Sequence, residues 1–147
     1  MSAPVVHHAI DVAASPESCW KVLADLGSWT RWFPRARYAA VLGGQSDPWR
    51  VGGRFEILFD FGISVSVKPE VREVDPAKRV RWVGRGWGIE GDHAYTFEPH
   101  APGLTRVTSH EEFSGMGSRL ITRRIFDLLD VEVHRSLERF KALVEAR

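Results

Sequence analysis

The sequence predicts an α+β fold in which a curved antiparallel sheet of about seven strands surrounds one long C-terminal helix, with two short helices after the first strand. From about residue 118 to residue 146, apolar residues recur at steps of three and four, which places them on one stripe of an α-helix. The stripe consists of Phe126, Leu129, Val133, Leu137, Phe140 and Val144. Most of the preceding chain consists of short alternating runs bounded by turn residues, which is typical of antiparallel strands.

The N-terminal part predicts one strand and two short helices. Apolar and polar residues alternate over 6–12, which favours a strand. The run 15–17 (Ser-Pro-Glu) has the composition of a helix start, with a hydroxyl N-cap, a proline at the first helical position and an acid in the first turn. Gly27 is expected to end this helix. A second helical turn is predicted over 28–34, and it carries Trp29, Trp32 and Phe33.

The middle of the chain predicts six further strands. One long strand is expected to direct Val65, Val67 and Val71 to one face and to end at Asp75-Pro76. The other five are expected over 38–42, 55–59, 80–84, 93–97 and 107–113. The short turns between them favour an antiparallel meander. Such a sheet twists, so a helix laid across it contacts it closely at one end only. We therefore expect a cavity at the other end, roofed by the two short helices.

The composition is that of an ordinary globular protein. Apolar residues make up 44% of the chain and charged residues 27%, and the length favours one domain over 1–147. The net charge is +1 without a block of like charges, so we predict no binding to nucleic acid or to anionic membranes. No apolar run approaches the ~20 residues of a membrane span, and no signal-peptide pattern is present, which favours a cytoplasmic protein.

No metal or other cofactor is predicted. Cys19 is the one cysteine of the chain, which excludes an intrachain disulfide and a thiolate zinc cage. No two of the six histidines stand four residues apart, the spacing that brings two ligands together on one helix face. His7 and His8 are expected on opposite faces of the first strand.

Five short motifs give the chain a family resemblance. They are Ala14-Ser15-Pro16-Glu17 followed by Trp20, Trp29-x-x-Trp32-Phe33-Pro34, Val51-Gly52-Gly53-Arg54-Phe55, Val74-Asp75-Pro76 with Arg79-Val80, and Gly103-x-Thr105-Arg106-Val107-Thr108 with Glu111-x-Phe113. In this order and spacing the chain resembles the START/Bet v 1-like (SRPBCC) superfamily, in its polyketide cyclase/dehydrase and lipid transport branch. The resemblance implies a helix-grip fold with an internal cavity for apolar ligands. It implies no single activity, because fold alone is weak evidence for chemistry.

The chain is rich in aromatic residues, with six Trp and eight Phe, which suits a pocket for a flat apolar ligand. Inward-facing strand residues and the near half of the helix stripe are the candidates for the pocket wall. The predicted ligand-binding residues are Trp32, Phe33, Phe55, Phe59, Trp82, Trp87, Tyr95, Phe97, Phe126, Leu129 and Val133.

Glu111 and His93 are the two candidates for acid/base chemistry. Glu111 alternates in phase with Val107 and Phe113, so an inward orientation would bury its carboxyl group and raise the pKa. The simpler interpretation, which we favour, places Glu111 at the strand end near solvent, paired with an arginine or accepting amide hydrogens. His93 is in phase with Tyr95, and we favour a hydrogen-bonded core histidine over a ligand contact.

Three functions remain open. The first is a carrier or sensor that binds a small aromatic, polyketide or lipid-like molecule in the cavity. The second is a polyketide cyclase, aromatase or dehydratase that acts in the same cavity by acid/base chemistry. The third is a protein-interaction module with a filled core. Glu111 and His93 discriminate between the first two, because only an enzyme needs both within reach of one ligand.

The first half of the predicted helix has more apolar residues than one stripe requires. These are Leu120, Ile121, Leu128 and Val131, which lie opposite the stripe. An exposed apolar patch often marks an interface. We therefore predict that they border the cavity mouth or form a homodimer contact.

Overall fold

The computed structural model describes residues 4–147 and contains eight strands and three α-helices. The strands are β1 (Val5–Val12), β2 (Ala36–Val41), β3 (Phe55–Asp60), β4 (Ser64–Val67), β5 (Glu70–Asp75), β6 (Arg79–Gly86), β7 (Ile89–Ala101) and β8 (Leu104–Ser114). The helices are α1 (Pro16–Ala24), α2 (Trp29–Trp32) and α3 (Arg123–Glu145), with 3₁₀ turns at Leu26–Ser28 and Met116–Leu120. The predicted α+β class and the order of the elements are confirmed.

The strands form two antiparallel sheets that curve around α3. The larger sheet has the order β1-β8-β7-β6-β5, and the smaller has the order β2-β3-β4. The long pairing of β7 with β8 sets Tyr95 opposite Ser109 and His93 opposite Glu111. Because side chains on directly opposed residues share a face, this register places His93 and Glu111 side by side.

The predicted single strand over 65–75 is instead two strands that belong to different sheets. β4 ends at Val67 and pairs with β3, whereas β5 begins at Glu70 and pairs with β6. Pro69 lies at the break, and it has no backbone N–H with which to continue a ladder. The two sheets remain joined by an isolated bridge between Arg54 and Glu70. The count is therefore eight strands rather than about seven.

The long helix α3 begins at Arg123, later than the predicted 118, and has 23 residues. Its N-cap is Thr122, whose hydroxyl oxygen accepts a hydrogen bond from the backbone N–H of Ile125 at 3.3 Å. At ~1.5 Å per residue the helix is about 35 Å long. Four residues of the predicted stripe are buried, namely Val133, Leu137, Phe140 and Val144. The other two, Phe126 and Leu129, are half-buried.

The core fills the end of the molecule that α1 and α2 close. α1 has the predicted Ser15 cap, but it ends at Ala24 and the chain continues into a 3₁₀ turn, so Gly27 is not its stop. Trp29 and Trp32 of α2 are fully buried, and the indole N–H of Trp29 donates to the carbonyl oxygen of Leu23 at 2.7 Å. These large buried rings form much of the core at this end.

Candidate functional site

A cavity of about 330 Å³ lies at the opposite end, where the sheets move away from α3. Its wall is formed by residues after α2, by β3 and β4, by the hairpin of β6 and β7, by β8 and by one side of α3. A volume of this size is within the range of small-molecule pockets. Aromatic and aliphatic side chains make up most of the wall, among them Phe33, Ile57, Phe59, Phe61, Val65, Trp82, Ile89, Phe113, Leu129 and Val133.

The structure brings some of the predicted ligand-binding residues to this cavity and keeps the others away from it. Those at the cavity are Phe33, Phe59, Trp82, Trp87, Leu129 and Val133. Those away from it are Trp32, Phe55, Tyr95, Phe97 and Phe126. The first four of the second set are buried in one hydrophobic cluster that also includes Leu137, Phe140 and Val144 of α3, whereas Phe126 is half-buried near the start of α3. These five residues do not line this cavity, and the ligand-binding role of the whole predicted set stays a prediction.

Whether an inward-facing strand residue reaches the cavity or the core depends on its position along the strand. Alternation in β7 correctly indicates that His93, Tyr95 and Phe97 share one face, and all three are buried. However, only His93 reaches the cavity, whereas Tyr95 and Phe97, two and four residues further along β7, belong to the packed core. The predicted roof is likewise limited to Phe33, Pro34 and Arg35, which follow α2, because no residue of α1 reaches the cavity.

Glu111 lies on the cavity wall beside His93, and within residues 4–147 it has neither the arginine partner nor the amide hydrogen bonds that the favoured interpretation expected. Its Oε1 is 3.7 Å from Nδ1 of His93, which is longer than a hydrogen bond, and 22% of its side chain is exposed. Burial raises the pKa of Glu111 to about 7, and the nearby charge of Asp92 adds to the effect. The carboxyl group is therefore close to half-ionised at neutral pH.

His93 is both a hydrogen-bonded core residue and part of the cavity wall. Its Nε2 and the hydroxyl oxygen of Ser109 are 2.8 Å apart, and its ring stacks on Tyr95 with centroids 4.6 Å apart. Burial, with a smaller contribution from the nearby His110, lowers the pKa of His93 to about 3. The imidazole is therefore neutral at physiological pH and is held in one orientation.

Glu132 of α3 is a site residue that the sequence-based prediction missed. It lines the cavity, and it is among the few buried charged residues. One oxygen, Oε1, is 3.6 Å from Nε of Arg35, while the other, Oε2, is buried without a hydrogen-bond partner. The helical pattern contains a signal for it, because Glu132 follows Leu129 by three residues and precedes buried Ser136 by four.

The cavity mouth is bordered by two hairpins with exposed aromatic residues. Phe61, between β3 and β4, is 39% exposed, and Trp87, between β6 and β7, is 85% exposed. Trp87 has a positive φ of 58°, a conformation that is uncommon for a bulky residue. The four residues predicted as mouth or dimer contact do not line the cavity; Leu120, Leu128 and Val131 are exposed and Ile121 is half-buried.

Two further features of this part of the molecule concern metals and membranes. Within residues 4–147, no group of three or more His, Cys, Asp or Glu side chains is arranged to hold a metal ion. Over the same residues, none of the helices is both long enough and apolar enough to cross a bilayer.

Solved structures with the same architecture are similar to this chain over nearly its whole length. A hypothetical protein from Helicobacter pylori has a TM-score of 0.82 at 18% identity and covers 97% of this chain and 89% of its own. A START superfamily protein from Mycobacterium smegmatis has a TM-score of 0.69 at 14% identity, with coverages of 97% and 95%.

The di-domain ARO/CYC protein BexL from the BE-7585A biosynthetic pathway has a TM-score of 0.75 at 19% identity, and the match covers 96% of this chain and 46% of BexL. At these identities the structures show the fold alone. No curated protein matches the chain. The family model described as polyketide cyclase/dehydrase and lipid transport matches residues 3–145. The chain therefore belongs to the polyketide cyclase/dehydrase and lipid transport family.

Proposed function

We propose that this protein binds a small apolar molecule, aromatic, polyketide or lipid-like, in the cavity and acts as its carrier or sensor. The observation that supports this proposal is the open cavity of about 330 Å³ with a mostly apolar wall and a few polar groups at one side. Small-molecule sites commonly combine these features. The cavity also speaks against the interaction module with a filled core, since that alternative requires solid packing in this region.

The proposal is tested by filling the cavity. N-phenyl-1-naphthylamine is an uncharged apolar fluorophore whose emission rises when it leaves water, so its titration reports uptake. Leu129→Trp places a large ring at the cavity wall and is expected to weaken uptake at least about tenfold. Leu128→Trp is the matched control, because Leu128 is the adjacent residue of α3, is 44% exposed and does not line the cavity.

The result that contradicts the proposal is equal uptake by the wild type and the Leu129→Trp variant, or no uptake by the wild type. Native mass spectrometry of the purified protein complements the titration. A co-purifying small molecule that is lost in Leu129→Trp and retained in Leu128→Trp would identify the ligand directly.

A second candidate function is acid/base catalysis on a cavity-bound polyketide. Glu111 favours it, because a carboxyl group with a pKa of about 7 can either donate or accept a proton at neutral pH. Its neighbour His93 is neutral and fixed by Ser109. Incubation with a β-polyketide thioester, followed by mass spectrometry for loss of water, tests this candidate. Glu111→Gln should abolish the reaction while retaining fluorophore uptake, and a variant as fast as the wild type would exclude Glu111 as the catalyst.

The apolar surface at the start of α3 is proposed as a homodimer contact. Leu120 is 74% exposed, and Leu128 and Val131 are each nearly half exposed, which is uncommon for neighbouring aliphatic side chains. Light scattering after size-exclusion chromatography measures the solution mass. A dimeric mass that becomes monomeric in Leu120→Glu supports the contact, whereas a monomeric wild type contradicts it.

A further inference from the structure

The polar side chains of the cavity wall differ in how well their hydrogen-bonding groups are satisfied. Arg85 donates to Glu90 at 2.8 Å, and the hydroxyl group of Ser66 donates to Glu56. Nε of Arg35 lies 3.6 Å from Oε1 of Glu132. These three donor side chains therefore lie next to carboxylates of the protein.

The carboxylate groups of Glu132 and Glu111, which are acceptors in the wall, lack hydrogen-bond donors. Glu132 is 9% exposed, its Oε1 has only long contacts to Arg35 (3.6 Å) and to Arg135 (3.9 Å), and its Oε2 has no partner. Among residues 4–147, no group donates a hydrogen bond to Glu111, and Nδ1 of the neutral His93 is 3.7 Å from its Oε1. A buried carboxylate oxygen without a donor is costly, because it has lost water and gained nothing in exchange.

On this basis, and resting on the proposed binding function, we propose that the cavity selects apolar molecules that carry a protonated amine over those that carry a carboxylate. An ammonium group brings several N–H donors and a positive charge to Glu132 and Glu111. A carboxylate would instead meet two acids, and the two guanidinium groups of the wall, Arg35 and Arg85, already lie next to Glu132 and Glu90.

The aromatic wall supports the same selection. Trp82, Phe33, Phe59 and Phe61 line the same cavity as these acids, and the face of an aromatic ring attracts a cation. Arg35 opposes a cationic ligand only weakly, since 44% of its side chain is exposed and its charge is screened by water.

The test compares three probes with the same ten-carbon chain, namely decylamine, decanol and decanoate. Each displaces N-phenyl-1-naphthylamine from the wild-type protein at neutral pH and below its micelle concentration. We expect decylamine to displace the fluorophore at a concentration at least about tenfold lower than decanoate does, with decanol between them. Decanoate that displaces equally well or better, or decylamine no better than decanol, would overturn the proposal.

Substitutions of single glutamates show which side chain gives the preference for decylamine. Glu132→Gln should bring decylamine to the level of decanol, whereas Glu138→Gln should leave the ratio unchanged. Glu138 is the matched control, because it lies six residues further along α3 with 58% of its side chain exposed. Glu111→Gln provides a second variant should Glu132→Gln fail to fold, and unchanged selectivity in both folded variants would also overturn the proposal. Failure of the fluorophore to bind the wild type would instead refute the binding function itself.

Discussion

Glu111 makes the stability of this protein depend on pH in a direction that is unusual for a carboxylate. Its pKa is raised from an ordinary 4.5 to about 7 in the folded state, chiefly because it is buried. At pH values between these two pKa values, Glu111 is protonated in the folded protein and ionised in the unfolded chain. The free energy of unfolding therefore falls as pH rises through this window, and the contribution is fully lost above the folded pKa.

The magnitude follows from the two pKa values. At ~1.4 kcal/mol per pKa unit, the contribution of Glu111 to the free energy of unfolding changes by about 2–3 kcal/mol between pH 5 and pH 8. Because 22% of the side chain is exposed, this value is an upper limit. His93 acts in the opposite direction, since its lowered pKa makes stability rise with pH up to its ordinary value of 6.5. Comparison with Glu111→Gln removes the His93 contribution, which both proteins share.

The assay is urea denaturation of the wild type and of Glu111→Gln at both pH values. From pH 5 to pH 8, the free energy of unfolding of the variant should rise relative to that of the wild type by up to about 2–3 kcal/mol. Glu112→Gln is the control for the loss of one negative charge, because Glu112 is the next residue of β8 with 57% of its side chain exposed. A Glu111→Gln curve parallel to that of the wild type at all pH values would show that Glu111 is solvated in the folded state.

Two further predictions concern the scaffold. Phe140→Ala should lower the free energy of unfolding by about 3–5 kcal/mol, since Phe140 is 1% exposed and packs edge-on against Trp32. The control Leu128→Ala should change it by less than about 0.5 kcal/mol, and similar denaturation midpoints for the two variants would contradict the position of the core. Gly117→Ala should lower the melting temperature by several degrees, because a Cβ atom there would lie 2.3 Å from the backbone oxygen of Trp87. In the control Gly86→Ala the new Cβ atom meets no atom within 4 Å, so this variant should be tolerated. Equal melting temperatures for the two variants would show that the 3₁₀ turn Met116–Leu120 is not packed against Trp87 as described.

Local patterns predicted the elements that form the frame of the cavity. The 3-4 spacing from Val133 to Val144 correctly identified the buried face of α3, because a helix that packs on a sheet must carry an apolar stripe. The Ser15 cap and the Trp29–Trp32 turn were also predicted, since caps and short helical turns depend on neighbouring residues. The interruption at Pro69 was missed, although the residue type carried the signal.

The lining of the cavity was predicted less well. Alternation correctly grouped His93 with Tyr95 and Phe97, yet only His93 is at the cavity. Periodicity states which face of a strand a residue occupies, but it contains nothing about how far along the strand the opposing helix makes contact. For the same reason, periodicity did not indicate that this end of β8, with Glu111, lines a cavity.

What the sequence by itself determined is the fold class, the family and the apolar faces, since these depend on spacing and on local backbone chemistry. What only the tertiary structure decided is the position of the cavity along the sheet and the presence of two acids in its wall. Glu111 and Glu132 come from a strand and a helix that are separate in the chain, and both line the cavity only because the sheet curves around α3. The burial that raises the pKa of Glu111 and the unpartnered oxygen of Glu132 are properties of that packing rather than of any stretch of sequence.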